Sequence, residues 1–309
     1  MNAAVLFLVF NRPDETARSF AAIRAARPSR LYVAADGARA GRAGESERCA
    51  EVRRIATAVD WPCEVRTLFR DDNLGCRRAV GGALDWFFDA EPEGIVLEDD
   101  CVAGADWFRF AEAMLERYRD DERIMCVSAS HFQGDAHRPP ASYFFSRYNH
   151  CWGWASWRRA WRLYDPDMGD WPRLRGTSWL RELGDGSTMF ARYWTRVFDA
   201  VAAQRGIDSW AYRWTFACWK HGALTVLPAR NLVSNLGFTM ESTHTGADSA
   251  LKDATPLETL DFPLRHPTEV VRDRAADLWT DRHIYHIGLR SLVRGMAVDA
   301  VRRLGGRAA

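Results

Sequence analysis

An α/β fold, with helices covering both faces of a sheet and a helical extension at the C-terminal end, is predicted by three features of the sequence. Residues 5–10 and the triplet Ile95, Val96 and Leu97 are apolar without alternation, as in strands buried on both faces. Segments with apolar residues at helical spacing separate such runs. Strand and helix alternate through the first third of the chain, the pattern of a parallel sheet with right-handed crossovers.

Taken in order, residues 5–10 make the first strand. Asn11-Arg12-Pro13-Asp14-Glu15 is a turn followed by the Pro and acids of a helix first turn, and Phe20 and Ile23 mark that helix's buried face. Residues 31–35 form a second strand ending in Asp36-Gly37. Val52, Ile55 and Val59 are spaced for a second helix, and residues 63–69 alternate as a third strand. Asn73-Leu74-Gly75 is a turn, and Val80, Leu84 and Phe87 predict a third helix before the strand that ends in Glu98. Residues 124–130 read as a fifth strand, 131–141 as a loop and 143–148 as extended. Trp154, Trp157 and Trp161 step by three and four, which places them on one helix face. Phe190, Tyr193, Trp194, Val197 and Val201 make an amphipathic helix. Another helix opens after Asp208, which stands at its N-cap position. Residues 224–227 form a further strand, and 283–304 a basic amphipathic helix carrying Arg290, Arg294, Arg302 and Arg303. That last helix either docks on the body of the protein or lies on an anionic membrane surface.

Composition narrows the function. With 309 residues the chain can bury a sizeable core. A net charge of +1 gives no support to nucleic-acid binding by bulk charge. Seven cysteines without CxxC spacing suit reduced thiols in a cytoplasmic chain, peripheral at the membrane if the last helix binds lipid. The first ten residues are too short and uncharged for a leader, and no apolar stretch approaches the roughly 20 residues of a membrane span. Fourteen tryptophans serve a core, or offer ring faces to sugars and bases.

Glu98-Asp99-Asp100 follows a buried strand directly. Three carboxylates there repel one another and lose hydration unless a cation or dense hydrogen bonding offsets the cost. A divalent cation, Mn2+ or Mg2+, with a diphosphate completing its shell is one solution; an acidic turn capping the next helix is the other. The crossovers bring Arg12, Asp36 and Asn73 to the same sheet edge, which suits a nucleotide diphosphate. Neither GxGxxG after the first strand nor GxxxxGK[ST] occurs, which disfavours dinucleotide and P-loop triphosphate sites.

Val9-Phe10-Asn11-Arg12-Pro13, Asp36-Gly37 and Val96-Leu97-Glu98-Asp99-Asp100 resemble the nucleotide-sugar-binding half of glycosyltransferases with the GT-A fold, a Rossmann-type sheet. The likeness is to the N-acetylglucosaminyltransferase I type, whose metal motif is also Glu-Asp-Asp (DXD-like), and to bacterial family-2-like enzymes. It covers roughly residues 3–165 and, more loosely, 200–245, and implies a nucleotide-sugar-binding half over 1–130 and an acceptor-side half of the same domain over 131–248; the helical pattern near the C-terminus adds an extension over 249–309. By the same resemblance the donor, a UDP-sugar above other nucleotide-diphosphate sugars, is held by Phe10, Asn11, Arg12, Asp36, Gly37, Asn73, Glu98, Asp99 and Asp100, with Trp152, Gly153 and Trp154 beside sugar and acceptor. Asp100 becomes the metal ligand, Asp36 the contact to the base, and Arg12 a nucleotide contact. His244, flanked by two threonines, would close the diphosphate or the metal from a C-terminal loop. The family's acceptor-activating acid falls on Asp208 or the next position, here Ser209.

From the residues alone Asp36 is equally a turn residue, Asp208 a helix cap, His244 a solvated loop side chain, and Trp157 and Trp161 core. The implied activity is a metal-dependent inverting transfer from a nucleotide-diphosphate sugar to a glycan, a lipid-linked glycan or another hydroxyl acceptor. The alternatives are a sugar-nucleotide pyrophosphorylase and a non-catalytic glycan-binding module.

Overall fold

The computed structural model describes residues 1–204, 207–237 and 256–288. Four parallel strands carry the first third: β1 (Ala4–Val9), β2 (Arg30–Ala35), β3 (Glu64–Phe69) and β4 (Glu93–Glu98), in the order β3-β2-β1-β4. Helices α1 (Pro13–Ala26), α2 (Glu45–Ala56) and α3 (Cys76–Ala90) connect them. Every residue of β1 is buried, and its side chains alternate between two cores. Val5, Phe7 and Val9 meet Phe20, Ile23 and Val52 from α1 and α2, whereas Ala4, Leu6 and Leu8 meet Leu84 and Phe87 from α3. A continuous apolar run is the sequence expression of a strand covered on both sides. Edge strand β3 is largely exposed, as its alternating, charged sequence allows.

The chain goes from β1 to one side of the sheet and then returns to the other side at β4. Between β1 and β4 lies the topological switch point, where connections diverge and leave a crevice at the carboxyl ends of the strands.

Beyond β4 come a three-residue strand β5 (Cys101–Ala103), α4 (Ala105–Arg117), β6 (Ile124–Ser128), β7 (Tyr143–Ser146), β8 (Trp154–Trp157) and α5 (Arg158–Trp161). Short helices α6 (Trp171–Leu174) and α7 (Trp179–Leu183) lead to α8 (Thr188–Ala202), α9 (Ala211–Lys220), β9 (Leu224–Pro228), β10 (Val233–Asn235) and α10 (Arg274–His283). The full sheet has eight strands in the order β3-β2-β1-β4-β8-β6-β9-β7, with β8 and β7 antiparallel to their neighbours. A separate ribbon pairs β5 with β10 antiparallel, Asn235 opposite Cys101.

Two expectations are corrected and one open alternative is decided. Trp154 and Trp157 lie on strand β8, with only Arg158–Trp161 turning as helix, so Trp154 faces one core and Trp157 the other. Ten of the 14 tryptophans are buried, so the aromatic excess is mainly core. The helix expected over 283–304 is not helical at 284–288, where the chain has already left α10, and the remainder, with Arg290, Arg294, Arg302 and Arg303, lies outside the described residues. No helix among the described residues is long and apolar enough to cross a membrane.

Helix α10 is bound to the sheet by a buried ionic network. Arg147 is 2 % exposed and donates from Nη2 to Asp281 Oδ2 (2.6 Å) and from Nη1 to the Leu183 carbonyl (2.8 Å). Ser146 Oγ donates to Asp277 Oδ1 (2.5 Å), and Tyr148 Oη donates to Asp281. Burial pushes Asp277 up to about 6 against the pull of Arg147. Removing one member of such a network strands the others without a counter-charge. Arg147→Met is therefore expected to cost about 3–5 kcal/mol in urea denaturation at neutral pH. The folded-state pKa of Asp277 is raised, so its protonation favours the folded chain. The loss should accordingly shrink as the pH is lowered from 7 towards about 4; a pH-independent loss would assign the effect to packing alone.

Candidate active site

The β1–α1 turn and the end of β4 meet at the switch point, since Leu8 pairs with Glu98 and Val9 with Ala35. Asp99 is 2 % exposed and points back into the fold. It accepts from the Phe10 amide (3.2 Å) and from Arg12 Nη2 (2.5 Å), while Ser19 Oγ donates to its carbonyl (2.8 Å). Asp99 thus ties the end of β4 to the first turn and orients Arg12. Its two carboxylate oxygens are engaged by the protein, which corrects the expectation that it faces a donor.

Asp100 lies between Arg12 and the β5–β10 ribbon. Arg12 Nη1 approaches its Oδ2 (3.1 Å), and Asn235 Nδ2 and Cys101 Sγ its Oδ1 (3.4 Å each). Leu236 donates its amide to the Asp100 carbonyl (2.8 Å). Gly237 packs so closely that a Cβ there would stand 2.3 Å from Asp100 Oδ2. Glu98 is the member left open, for its carboxylate accepts no hydrogen bond within the described residues. Burial, then repulsion from Asp100 and Asp99, pushes it up to about 8, with Arg12 opposing. Asp99 is pushed up to about 7 by burial against the pull of Arg12. Burial works against charge on Arg12 too, but Asp99, Asp100 and Glu98 outweigh it and hold the guanidinium protonated. Three carboxylates facing one guanidinium hold their charge at a cost that a proton on Glu98, or a cation displacing that proton, relieves.

The donor set for a metal ion follows from these contacts. No cluster of three or more His, Cys, Asp or Glu side chains is gathered as a ready-made cage among the described residues. Asp100 and the unpartnered Glu98 remain. One or two carboxylates, with water and substrate phosphates filling the other positions, is the usual way a magnesium-type ion is held. The residues fit a cation that arrives with a phosphate ligand. His244 lies outside the described residues.

Asp36 accepts from the backbone amides of Leu74 (3.0 Å) and Gly75 (3.1 Å), so its carboxylate closes the turn before α3. Asn73 Nδ2 donates to the Gly37 carbonyl (2.8 Å). At Gly37 an added Cβ would stand 2.4 Å from the Asp71 carbonyl oxygen, which explains the glycine. Asp36, Gly37 and Asn73 therefore build one rigid corner of the edge. Asn11 Nδ2 donates to Glu45 Oε1 (2.8 Å). Glu45, fully buried, is held down at about 2 by its hydrogen bond to Arg39, whose guanidinium lies 5.5 Å from the Phe10 ring centroid. No local pattern marks Glu45 and Arg39, because their meeting depends on the path of the 37–44 loop.

Asp208 does not cap α9, whose first residue is Ala211 with Trp210 before it. It lies instead at the start of α3, accepting from the Arg77 amide (3.4 Å) and pairing with Arg77 Nε (3.4 Å). The glycine before α3, Gly75, has φ of +78°, and a Cβ on it would stand 2.8 Å from Asp208 Oδ2. The Asp208 side chain is 52 % exposed. Glu98, Asp208 and Asp36 all raise the Cys76 thiol pKa, after burial as the main cause. The loop carrying Asp208 is fixed by Arg213, which donates to the carbonyls of Ser209 (2.7 Å), Pro166 (2.6 Å) and Val201 (2.8 Å).

The 152–154 stretch divides. Trp154 is fully buried and stacks on Trp210 at 5.5 Å, so the structure makes it core and corrects its assignment to the donor. Gly153, with φ of +60°, is wedged against Ala129, Leu97 and Val233. Trp152 is partly buried, with its ring 5.0 Å from that of Phe132.

No protein-family model and no curated protein matches the sequence. Solved structures with a similar chain path include CMP:2-keto-3-deoxy-manno-octonic acid synthetase complexed with CTP, at 11% identity and TM-score 0.36 over 74% of this chain and 89% of that one. Mouse xyloside xylosyltransferase 1 in its apo form matches at 10% identity and TM-score 0.37, over 73% of this chain and 84% of that one. HddC from Yersinia pseudotuberculosis matches at 11% identity and TM-score 0.30, over 51% of this chain and 77% of that one. Likenesses this remote carry no conclusion about what the chain binds.

Proposed function

We propose that the chain is a metal-dependent inverting glycosyltransferase, transferring sugar from a nucleotide-diphosphate donor, UDP-linked above others, to a hydroxyl on a glycan. The carrying observation is the arrangement at the β1/β4 switch point, where Glu98 and Asp100 stand beside Arg12 and Glu98 has no hydrogen-bond partner within the described residues.

Asp100, with Glu98 beside it, would hold Mn2+ or Mg2+, which when bound supplies neutralisation of charge on the leaving diphosphate. Arg12, fixed by Asp99, adds a second positive group at the same place. The corner built by Asp36 and Asn73 presents backbone to the base, and Phe10 offers a ring face backed by Arg39. Asp208, half exposed at the neighbouring corner, takes the proton from the acceptor hydroxyl as that oxygen attacks the anomeric carbon. The bond from that carbon to the diphosphate breaks in the same displacement, and the configuration inverts.

A pyrophosphorylase needs a cationic, Gly-rich first loop for a triphosphate. Here the first loop, Phe10-Asn11-Arg12-Pro13-Asp14, has no glycine and a single cation, Arg12. Incubation with several nucleotide sugars and Mn2+ tests the reading. Slow sugar release supports a transferase, consumption of a nucleoside triphosphate with sugar phosphate would establish the pyrophosphorylase, and inertness with retained glycan binding the non-catalytic module.

Gly237→Ala provides a separate check. The new methyl would collide with Asp100 Oδ2 at 2.3 Å, forcing carboxylate or ribbon aside. Affinity for UDP with Mn2+ is expected to fall about tenfold, corresponding to roughly 1.4 kcal/mol, with little change in thermal stability. Unchanged affinity in calorimetry would remove Asp100 from the site.

A further inference from the structure

The two edges of the eight-stranded sheet are treated differently. Strand β7 is buried throughout, and the segment 265–273 covers it. The Ser142 amide donates to the Arg265 carbonyl (2.8 Å) and the Asp273 amide to the Phe145 carbonyl (2.8 Å). Strand β3, at the other edge, pairs with β2 alone and is exposed at every residue except Leu68. Exposed positions alternate between its two faces, so the helices leave both faces open. Val65 and Phe69, which share a face, are 36 % and 37 % exposed.

The direction of the free backbone groups follows from the ladder. On the β2 side the Glu64 amide donates to the Ser29 carbonyl (2.9 Å) and the Arg70 amide to the Ala35 carbonyl (3.0 Å). Backbone direction alternates along a strand, so Arg66 and Leu68 face β2 as well. Val65, Thr67 and Phe69 therefore direct both N–H and C=O away from the sheet. An open ladder of this kind is a template for another strand.

The occupant that the residues favour is a second copy of this chain, because β3 is complementary to itself when paired antiparallel about Thr67. In that register Val65 lies opposite Phe69 of the second copy and Thr67 opposite Thr67. These outward-facing positions meet as pairs that exchange both backbone hydrogen bonds. Between them, Arg66 lies opposite Leu68 and Glu64 opposite Arg70. A β-branched residue facing an aromatic one, and opposite charges facing each other, are both favourable across strands. Glu64 holds Arg66 of its own strand through Oε1 alone (2.7 Å), which leaves Oε2 to receive Arg70 of the second copy. Sliding the strands by two residues sets Arg66 against Arg66 in one direction and Arg66 against Arg70 in the other. Sliding by one sets outward-facing positions against positions that face β2. Longer slides run past the ends of the strand.

We infer that β3 is a dimerisation edge, at which a second copy continues the sheet antiparallel about a two-fold axis at Thr67. A two-fold contact closes on itself, so assembly stops at the dimer. Antiparallel pairing sends the two switch points to opposite ends of the joined sheet, and both stay open whatever they bind. A single pair of short strands buries less than a standard interface, so the dimer should be weak, with Kd of about 10–100 µM.

Sedimentation velocity of the full chain, from low micromolar to near-millimolar concentration, tests the edge. The mass should rise from monomer towards dimer and no further. Thr67→Pro deletes an outward amide and spares those that face β2, and it should weaken the dimer about tenfold or more. Glu64→Arg and Arg70→Glu should each weaken it about tenfold. Combined, the two reversals should bring it back close to wild type. Should Thr67→Pro fail to fold, the reversals and their mutual rescue carry the test. A chain that stays monomeric throughout would overturn the inference and leave the edge to a strand of another protein. A dimer indifferent to Thr67→Pro, or reversals that do not rescue each other, would overturn it as well.

Discussion

Asp100→Ala is expected to abolish the dependence of UDP binding on Mn2+ and to lower transfer about 10³-fold, the scale of several kcal/mol of charge stabilisation. The fold should survive. Arg12 remains paired with Asp99 at 2.5 Å, and removing Asp100 takes one negative charge from a group in which Glu98 and Asp99 are already pushed up to about 8 and 7. Asp99→Ala makes the informative contrast, since it removes the partner of the Phe10 amide and the shorter ion pair of Arg12. That variant should lose stability in denaturant titration, whereas Asp100→Ala should lose cation dependence with near-normal stability. Calorimetric titration of UDP with Mn2+, and then with excess chelator, separates the two. Full turnover of the wild-type chain in chelator would sink the metal reading, whatever the variants do.

How much of this was legible in the sequence depended on whether the signal was local. Three of the first four strands were, because a strand covered on both faces must be apolar, as residues 5–10 are, whereas the exposed edge strand β3 was legible from its alternation. The switch-point acids were also legible, as a carboxylate run directly after such a strand. The tryptophan stripe misled because a spacing of three places residues on one side of a helix but on opposite sides of a strand. Trp154 and Trp157 in fact enter opposite cores. The β5–β10 ribbon gave no pattern, since three residues are too few for periodicity and its partners are some 130 positions apart. Position in the sequence puts Asp208 beside the nearest following helix, yet it serves α3, which only the tertiary fold brings to it. Asp99 and Asp100 look equivalent as letters. They differ because one points back to β1 and the other towards Gly237.

Asp208→Asn is expected to reduce transfer by about 10²–10⁴-fold, the usual cost of losing a general base, while leaving UDP affinity close to wild type. The structure makes this substitution cleaner than truncation. Asp208 accepts the Arg77 amide at the start of α3, and an Asn side-chain oxygen can accept the same bond. What Asn loses is the ion pair with Arg77, and a pair whose carboxylate is 52 % exposed contributes little to stability. Arg213 continues to hold the Ser209 carbonyl, so the loop keeps its course. Hence a structural Asp208 predicts near-normal rate and stability, whereas a catalytic one predicts collapse of transfer with stability and donor binding retained. The neighbouring position offers a control, because Ser209 cannot serve as a base and Ser209→Ala should be silent in both assays. A rate within a few-fold of wild type in Asp208→Asn would move the search to Glu98, which accepts no hydrogen bond within the described residues.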